Sequence, residues 1–294
     1  MRKMNGKPAV YVRRPVFEWS KNLVYSVLVP RRIHVYCIGT PKTGTHSMAG
    51  LFEREYRAAH EPDKSIQMKA LLETEGGLTP RDKDRLVKSR DIRRWLEVNS
   101  SALNYFFLDA LLEQLKQVKF IVTIREPYAW LDSLTNHYLA RGYSWVDSRF
   151  PIWVYQPEKY KHDPEAEAIL VENDLFPLDC YLAVWARFYR DLLTKIPSDR
   201  LLVVRTHEIS QSLPRVAEFL GIPPETLDAS RSHLYKAAAD FGILEKIDRG
   251  FLEERVAHHC GELMREHFPE IGGFDDALRL KRGGLDGDSR ASAP

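Results

Sequence analysis

The sequence has few cysteines, and their spacing builds neither a metal site nor a disulfide framework. Cys37, Cys180 and Cys260 are the three cysteines of the 294-residue chain, and none belongs to a CxxC motif. An odd number of widely spaced cysteines is typical of reduced and mostly buried thiols. The sequence therefore predicts no zinc site and no dependence on disulfides, which favours a reducing compartment.

Long hydrophobic runs and a strong net charge are also missing. The apolar run at 23–29 follows a basic stretch, but it is far shorter than the ~20 residues of a spanning helix and no small-residue cleavage site follows it. We expect residues 17–29 to form a short helix or strand packed on the core. The formal net charge of +2 gives no reason to expect nucleic acid as a partner. We therefore expect a cytoplasmic protein with no membrane partner.

Apolar β-branched runs alternate with helical periodicity along the chain, which predicts βαβ units. The predicted strands are 33–39, 55–59, 119–124 and 201–205, with a further possible strand at 95–98, and the predicted helices are 44–54, 103–115, 128–141, 178–196, 214–220 and 251–267. This order is typical of an α/β fold with a mostly parallel central sheet and helices on both faces.

The remaining segments are predicted from their polar, glycine and proline content. Residues 62–90 are expected to be loops with at most one amphipathic helix, and 142–178 to be a long loop rich in aromatics and prolines. We expect one domain over 1–280, with its core at about 32–270, and a disordered tail at 281–294. In such a fold, ligands bind beyond the carboxyl ends of the strands.

The segment that follows the first predicted strand has the composition of an anion-binding loop. It reads GTPKTGTHS over 39–47 and leads directly into a helix, so its backbone N–H groups and the helix dipole favour an anion. Lys42 adds a full positive charge, and Gly44 lets the backbone approach the ligand closely. Side-chain donors are expected from Thr43, Thr45, His46 and Ser47.

This loop differs from the loop of nucleotide hydrolases. Their motif is GxxxxGK[ST], whereas Gly44 is followed here by Thr45 and the lysine lies inside the loop at position 42. The strand at 119–124 ends in Arg125 rather than in an aspartate suited to magnesium. Phosphoryl transfer relies on magnesium to neutralise charge, so the residues favour transfer of a less charged sulfuryl group, without a metal. A metal-dependent kinase or NTPase, and a catalytically silent nucleotide-binding protein, remain the alternatives.

Residues 41–47, PKTGTHS, resemble the 5′-phosphosulfate loop of PAPS-dependent sulfotransferases, in which PAPS is 3′-phosphoadenosine-5′-phosphosulfate. The departure is His46, where threonine is usual. The resemblance implies the P-loop-like sulfotransferase fold and transfer of a sulfuryl group from PAPS to a hydroxyl or amine. It implies that the loop, from Pro41 to Ser47, binds the donor and that Lys42 contacts its bridging oxygen as the nucleotide leaves.

A second match lies after the strand at 119–124. Arg125 is followed by Pro127, and Ser133 lies eight residues beyond Arg125, which is the family's spacing for the 3′-phosphate site. The resemblance continues through the segments 201–208 and 214–223, and covers about 32–270 in all. By position it places Thr206 beside the nucleotide, and it makes Arg249 the local candidate for the last 3′-phosphate contact.

In-line transfer needs a general base near the donor sulfur. The predicted strand at 55–59 is followed by His60 and Glu61, and several branches of the family place a glutamate at this strand end. Glu61 is therefore the first candidate and His60 the second. An ion pair of Glu61 with Arg57 or Lys64 is the alternative. His137 and His207 are weaker candidates.

The acceptor site is predicted from the long segment 142–178. Aromatic residues are concentrated in its first part, and long loops of this kind are often functional. An aromatic cover over the acceptor favours a small apolar or aromatic molecule over an anionic polysaccharide. Asn99 and Ser100 are further candidates for the acceptor side. The aromatic residues are Tyr143, Trp145, Phe150, Trp153, Tyr155 and Tyr160.

Overall fold

The computed structural model describes residues 28–74, 77–142, 148–232 and 239–281. Five strands form one sheet in the order β2-β3-β1-β4-β5, and each neighbouring pair is parallel. The strands are β1 Val35–Ile38, β2 Ala58–His60, β3 Val98–Ser100, β4 Lys119–Ile124 and β5 Leu201–Arg205. The parallel α/β architecture with helices on both faces is thus confirmed. The predicted segments at 17–27 and 282–294 lie outside the described residues.

Helices connect the strands and cover the sheet. The α-helices are α1 Thr45–Phe52, α2 Lys64–Glu73, α3 Pro80–Arg94, α4 Leu108–Gln114, α5 Pro127–Arg141, α6 Arg149–Tyr155, α7 Ala168–Glu172, α8 Leu178–Lys195, α9 Leu213–Leu220 and α10 Arg249–His267. Residues 274–281 are helical as well. Short 3₁₀ turns occur at Ala102–Phe107, Pro157–Lys159, Ser198–Arg200, Thr206–Glu208, Pro224–Thr226, Ala229–Arg231 and Leu244–Lys246. Within the described ranges, no helix has the length and apolarity needed to cross a membrane.

Buried strands divide the core into two clusters, one on each face of the sheet. Successive side chains of a strand point to opposite faces, so Tyr36 and Ile38 enter one cluster while Val35 and Cys37 enter the other. Helices α5 and α8 cover the first cluster, and α1 and α9 cover the second. Burial on both faces explains why the strands are continuous apolar runs.

Local signals explain where several helices begin and end. Glu126 precedes α5, and its carboxylate accepts the backbone N–H groups of Tyr128 and Ala129 at 2.7 and 2.6 Å. Pro127 occupies the first turn of α5, and Gly142 ends it in the left-handed region with φ of 61°. Gly221 ends α9 in the same way with φ of 71°. Such ends satisfy backbone groups that a helix leaves without partners.

The structure differs from the sequence-based expectation in two segments. Residues 62–90 contain α2 and most of α3, not mainly loops, and 142–178 contains α6 and α7. Helix α3 is strongly charged but carries a Thr79 cap and Pro80 in its first turn, so capping rather than amphipathicity marks its start. Lys281, the first residue of the expected tail, lies instead in a helical segment with residues 274–280 and pairs with Asp132 and Asp240 at 2.9 and 2.8 Å.

A glycine at the end of β1 allows the closest packing in the sheet. A Cβ atom on Gly39 would lie 2.2 Å from the Thr123 hydroxyl oxygen, 2.3 Å from that of Thr43 and 2.7 Å from the Thr123 carbonyl oxygen.

We predict that Gly39→Ala lowers the free energy of unfolding, measured by urea denaturation, by about 1–3 kcal/mol, which is the usual cost of overpacking. Gly261→Ala in α10 is the control, since its Cβ meets nothing closer than 3.4 Å. Equal stability of the two variants would contradict this packing.

Candidate functional site

The loop between β1 and α1 is held by its carbonyl groups. Every carbonyl from Thr40 to Thr45 accepts a hydrogen bond from a protein donor. The donors, in order along the loop, are the Thr43 hydroxyl (2.7 Å), the Trp130 indole (2.9 Å), Arg125 (3.4 Å), the Thr206 hydroxyl (2.8 Å), the Met48 N–H (2.9 Å) and the Ser100 hydroxyl (2.6 Å). The loop is therefore fixed through its carbonyl groups, by one donor of its own and by donors from α1, α5 and the ends of β3, β4 and β5.

The backbone of this loop has the geometry of an anion-binding concavity. Lys42 and Gly44 both have positive φ, 72° and 90°, and successive turns between right- and left-handed conformations direct backbone N–H groups inward. A positive φ is unfavourable for a lysine. Strain of this kind is concentrated at functional sites. A Cβ on Gly44 would lie 2.5 Å from the Ile209 side chain, so this position needs glycine for its space as well.

A cavity of about 870 Å³ opens beside the loop, at the carboxyl ends of the strands. Its wall brings together residues that are far apart in the sequence, from the ends of β1, β2, β4 and β5 and from α5. The sequence-predicted residues that line it are Pro41, Lys42, Gly44, Thr45, His46, Ser47, His60, Glu61, Arg125, Ser133, His137 and Thr206. The convergence follows from the parallel sheet, whose carboxyl ends share one edge.

Arg125 is the cation at the end of β4. Its Nη1 donates to the carbonyl oxygen of Lys42 at 3.4 Å, and its own carbonyl accepts from the Trp185 indole at 3.0 Å. Burial lowers the pKa of Arg125, against the opposing effect of Glu126. Among the described residues no carboxylate lies within 4.0 Å of its guanidinium. A half-buried cation with no carboxylate beside it is stabilised by an anionic ligand.

Lys42 faces the same region from the loop. Burial lowers the pKa of Lys42, and the nearby charges of Arg125 and Arg141 lower it further. Burial likewise lowers the pKa of His137 to about 4, with contributions from Lys42 and Arg141. His137 is therefore neutral near pH 7. These mutual effects show that the cations are concentrated at one end of the cavity.

His60 and Glu61 lie at the end of β2, on the cavity wall. The His60 ring stacks on His46 with centroids 4.7 Å apart, and its Nε2 lies 3.2 Å from the Thr45 hydroxyl. Burial lowers the pKa of His60, partly offset by the negative charge of Glu61. The Glu61 carboxylate pairs with Lys64 at 2.6 Å, as the alternative interpretation of this residue anticipated. His207 does not line the cavity.

Three residues predicted to contact the donor have protein partners in the structure. The Thr43 hydroxyl donates to Thr40 and meets Thr123 at 3.1 Å, so this side chain packs into the protein and does not line the cavity. Arg249 does not line the cavity either, and its guanidinium pairs with Asp275 at 2.9 Å. The Thr206 hydroxyl, predicted to face the nucleotide, donates to the carbonyls of Thr43 and Ile124. It therefore holds the loop to the end of β4.

Sequence reasoning missed several residues of the cavity. Arg141 follows Ser133 and His137 at intervals of four residues on α5, and this helical spacing was the available signal. The opposite wall comes from α2 and from the turn at Ala102–Phe107, which carried no recognisable motif. Of the predicted aromatic cover, Phe150 and Tyr155 line the cavity. The Trp153 ring packs on Phe106 with centroids 5.0 Å apart. Tyr143 and Trp145 lie outside the described residues.

Comparisons with known proteins give one family model and several solved structures. No curated protein matches the chain. A sulfotransferase from Alicyclobacillus acidocaldarius is 16% identical over 77% of this chain and 94% of its own, with a TM-score of 0.46. The sulfotransferase STF9 from Mycobacterium avium is 14% identical over 88% of this chain and 83% of its own, with a TM-score of 0.44.

The family model described as "Sulfotransferase domain" matches residues 34–228. That range includes β1 to β5 and the loop between β1 and α1. It also contains Arg125, Ser133, His60 and Glu61. The chain therefore belongs to the sulfotransferase domain family.

Proposed function

We propose that this protein transfers a sulfuryl group from PAPS to a hydroxyl or amine of a small acceptor, within a single domain that spans 1–280. The observation that carries the proposal is the convergence of Lys42 and Arg125 at one end of the cavity, where Arg125 also donates to the loop at 3.4 Å. One cation comes from the loop after β1 and the other from the end of β4. Two cations at separate strand ends suit a ligand with two separated anionic groups, and PAPS has a 5′-phosphosulfate and a 3′-phosphate.

The donor residues divide between these two groups. The loop from Pro41 to Ser47 binds the 5′-phosphosulfate through its backbone N–H groups and Lys42. Arg125 and Ser133 bind the 3′-phosphate, since a guanidinium matches a phosphate geometrically. A mouse sulfotransferase described as complexed with PAP, the product nucleotide, is 16% identical over 80% of this chain and 70% of its own, with a TM-score of 0.33. PAPS enters and PAP leaves as substrate and product.

The chemical step balances without a further reactant. The acceptor oxygen or nitrogen forms a bond to sulfur while the bond from sulfur to the bridging oxygen breaks, and the electron pair of that bond leaves with PAP. Lys42 stabilises the charge that develops on the bridging oxygen. The acceptor proton passes to a base on β2. We propose His60 for this role ahead of Glu61, because the lowered pKa of His60 keeps it neutral while Lys64 binds the Glu61 carboxylate.

The donor site supports a prediction about PAP affinity. Arg125→Ala is expected to weaken PAP binding by at least about 30-fold in calorimetric titration, because removing one partner of a buried charge pair costs about 2–5 kcal/mol. Arg249→Ala is the matched control, since that guanidinium pairs with Asp275 outside the cavity. Its PAP affinity should equal that of the unmodified protein. Equal effects of the two substitutions would remove Arg125 from the donor site.

Lys42 is predicted to act on the chemical step more than on binding. Lys42→Ala should lower the rate of PAP formation about 100- to 1,000-fold in single-turnover measurements with PAPS, a magnitude typical of losing one group that stabilises developing charge. PAP affinity should fall much less, because the backbone of the loop remains. Unchanged turnover in this variant would contradict the assignment of Lys42 to the leaving oxygen.

The pH profile identifies the base. A histidine accepts the proton only when neutral, so kcat/KM should be flat near neutral pH and fall as pH is lowered through the pKa of His60, which burial places below the ordinary value of 6.5. His60→Gln should remove this acid limb and lower kcat about 100- to 10,000-fold. Glu61→Gln is the comparison. Loss of the acid limb in Glu61→Gln, with the limb retained in His60→Gln, would make Glu61 the base.

A further inference from the structure

The charges along the cavity exceed what the donor end requires. Six lysine or arginine side chains line the cavity, against one carboxylate, that of Glu61, which is paired with Lys64 at 2.6 Å. Lys42, Arg125 and Arg141 belong to the donor end, because the charges of Arg125 and Arg141 both lower the pKa of Lys42. Arg149 on α6 and Arg187 on α8 remain. Neither of them is among the charges that lower the pKa of Lys42, so these two arginines need a different explanation.

Apolar side chains dominate the wall that carries the two arginines. Tyr105 stacks on Phe188 with ring centroids 4.2 Å apart, and Phe106 meets Phe150 at 6.0 Å. Val154, Val184, Met68, Leu72 and Leu103 complete this wall. Binding pockets of this composition receive an apolar body and use few polar groups to orient it.

Arg149 and Arg187 stand at the edge of this apolar wall, and both are exposed. Arg149 makes a long contact with the backbone carbonyl of Leu72 at 3.5 Å. Arg187 makes a similar contact with the carbonyl of Val154 at 3.4 Å, and it also interacts with the Tyr105 hydroxyl. In the described part of the chain, no carboxylate lies within 4.0 Å of either guanidinium. The carboxylate nearest to Arg187 along α8 is Asp191, which accepts a hydrogen bond from the Tyr105 hydroxyl at 2.6 Å and does not line the cavity.

We propose that the acceptor is an amphipathic hydroxyl or amine compound whose apolar body ends in a carboxylate, and that Arg149 and Arg187 bind that carboxylate. The inference rests on the proposed function, because it takes the opposite end of the cavity as the donor site. An apolar wall with two cations at its edge is complementary to such a molecule in both shape and charge. Arginine suits the task, since its planar fork binds a carboxylate through two parallel hydrogen bonds.

The test uses two probes that differ in one charge. A para-hydroxyphenyl alkanoate and its primary amide are titrated calorimetrically into the protein saturated with PAP. The acid should bind at least about 10-fold more tightly than the amide. Arg149→Gln combined with Arg187→Gln should abolish this preference and leave PAP affinity unchanged. Arg190→Gln is the control variant, because Arg190 lies on the same helix but outside the cavity, where it donates to His259 at 2.9 Å.

Three outcomes would overturn the inference. They are equal affinity for the acid and the amide, binding of neither probe to the PAP complex, and a preference for the acid that survives in the double variant. All three leave PAP binding intact, and so leave the proposed function standing. Failure of PAP itself to bind would instead overturn the proposed function and this inference together.

Discussion

The fixed loop between β1 and α1 is the constraint on which the rest of the site depends. All of its carbonyl groups from Thr40 to Thr45 accept hydrogen bonds from surrounding protein groups. Because every one of these carbonyls is bound, the loop keeps a conformation with positive φ at Lys42 and Gly44. A preorganised loop pays the cost of ordering during folding rather than during binding. The loop therefore has the conformation proposed to bind the donor before any ligand arrives.

The same hydrogen bonds connect the loop to the other strands. Thr206 joins the loop to the ends of β4 and β5, Ser100 joins it to the end of β3, and the Thr45 hydroxyl meets His60 at the end of β2. Trp130 attaches it to α5. The groups proposed to bind the donor and those proposed to accept the proton thus share one rigid support. Substitutions at Thr206 or Ser100 act on the site through the loop.

Much of the framework was predictable because it depends on local pattern. The buried strands are apolar runs, and the order of strands and helices restricts the fold to a parallel α/β sheet. Lys42 and Arg125 follow strands directly, so the topology alone places them at one edge. Other features depend on tertiary partners that a sequence does not show. Arg249 has the charge of a phosphate ligand but pairs with Asp275, and the Thr43 hydroxyl turns toward Thr123. The arginines on α6 and α8 became candidates only when folding placed them beside one apolar wall.

The most direct test of the account is a calorimetric comparison of PAP with ATP and magnesium on the unmodified protein. Lys42 and Arg125 come from two different strand ends, and the site is proposed to bind its donor without a metal. We therefore predict tight binding of PAP in the absence of magnesium and little binding of ATP–magnesium. Tight binding of ATP–magnesium, with no response to PAP, would contradict the assignment of Arg125 to a 3′-phosphate and favour a metal-dependent phosphoryl transferase instead.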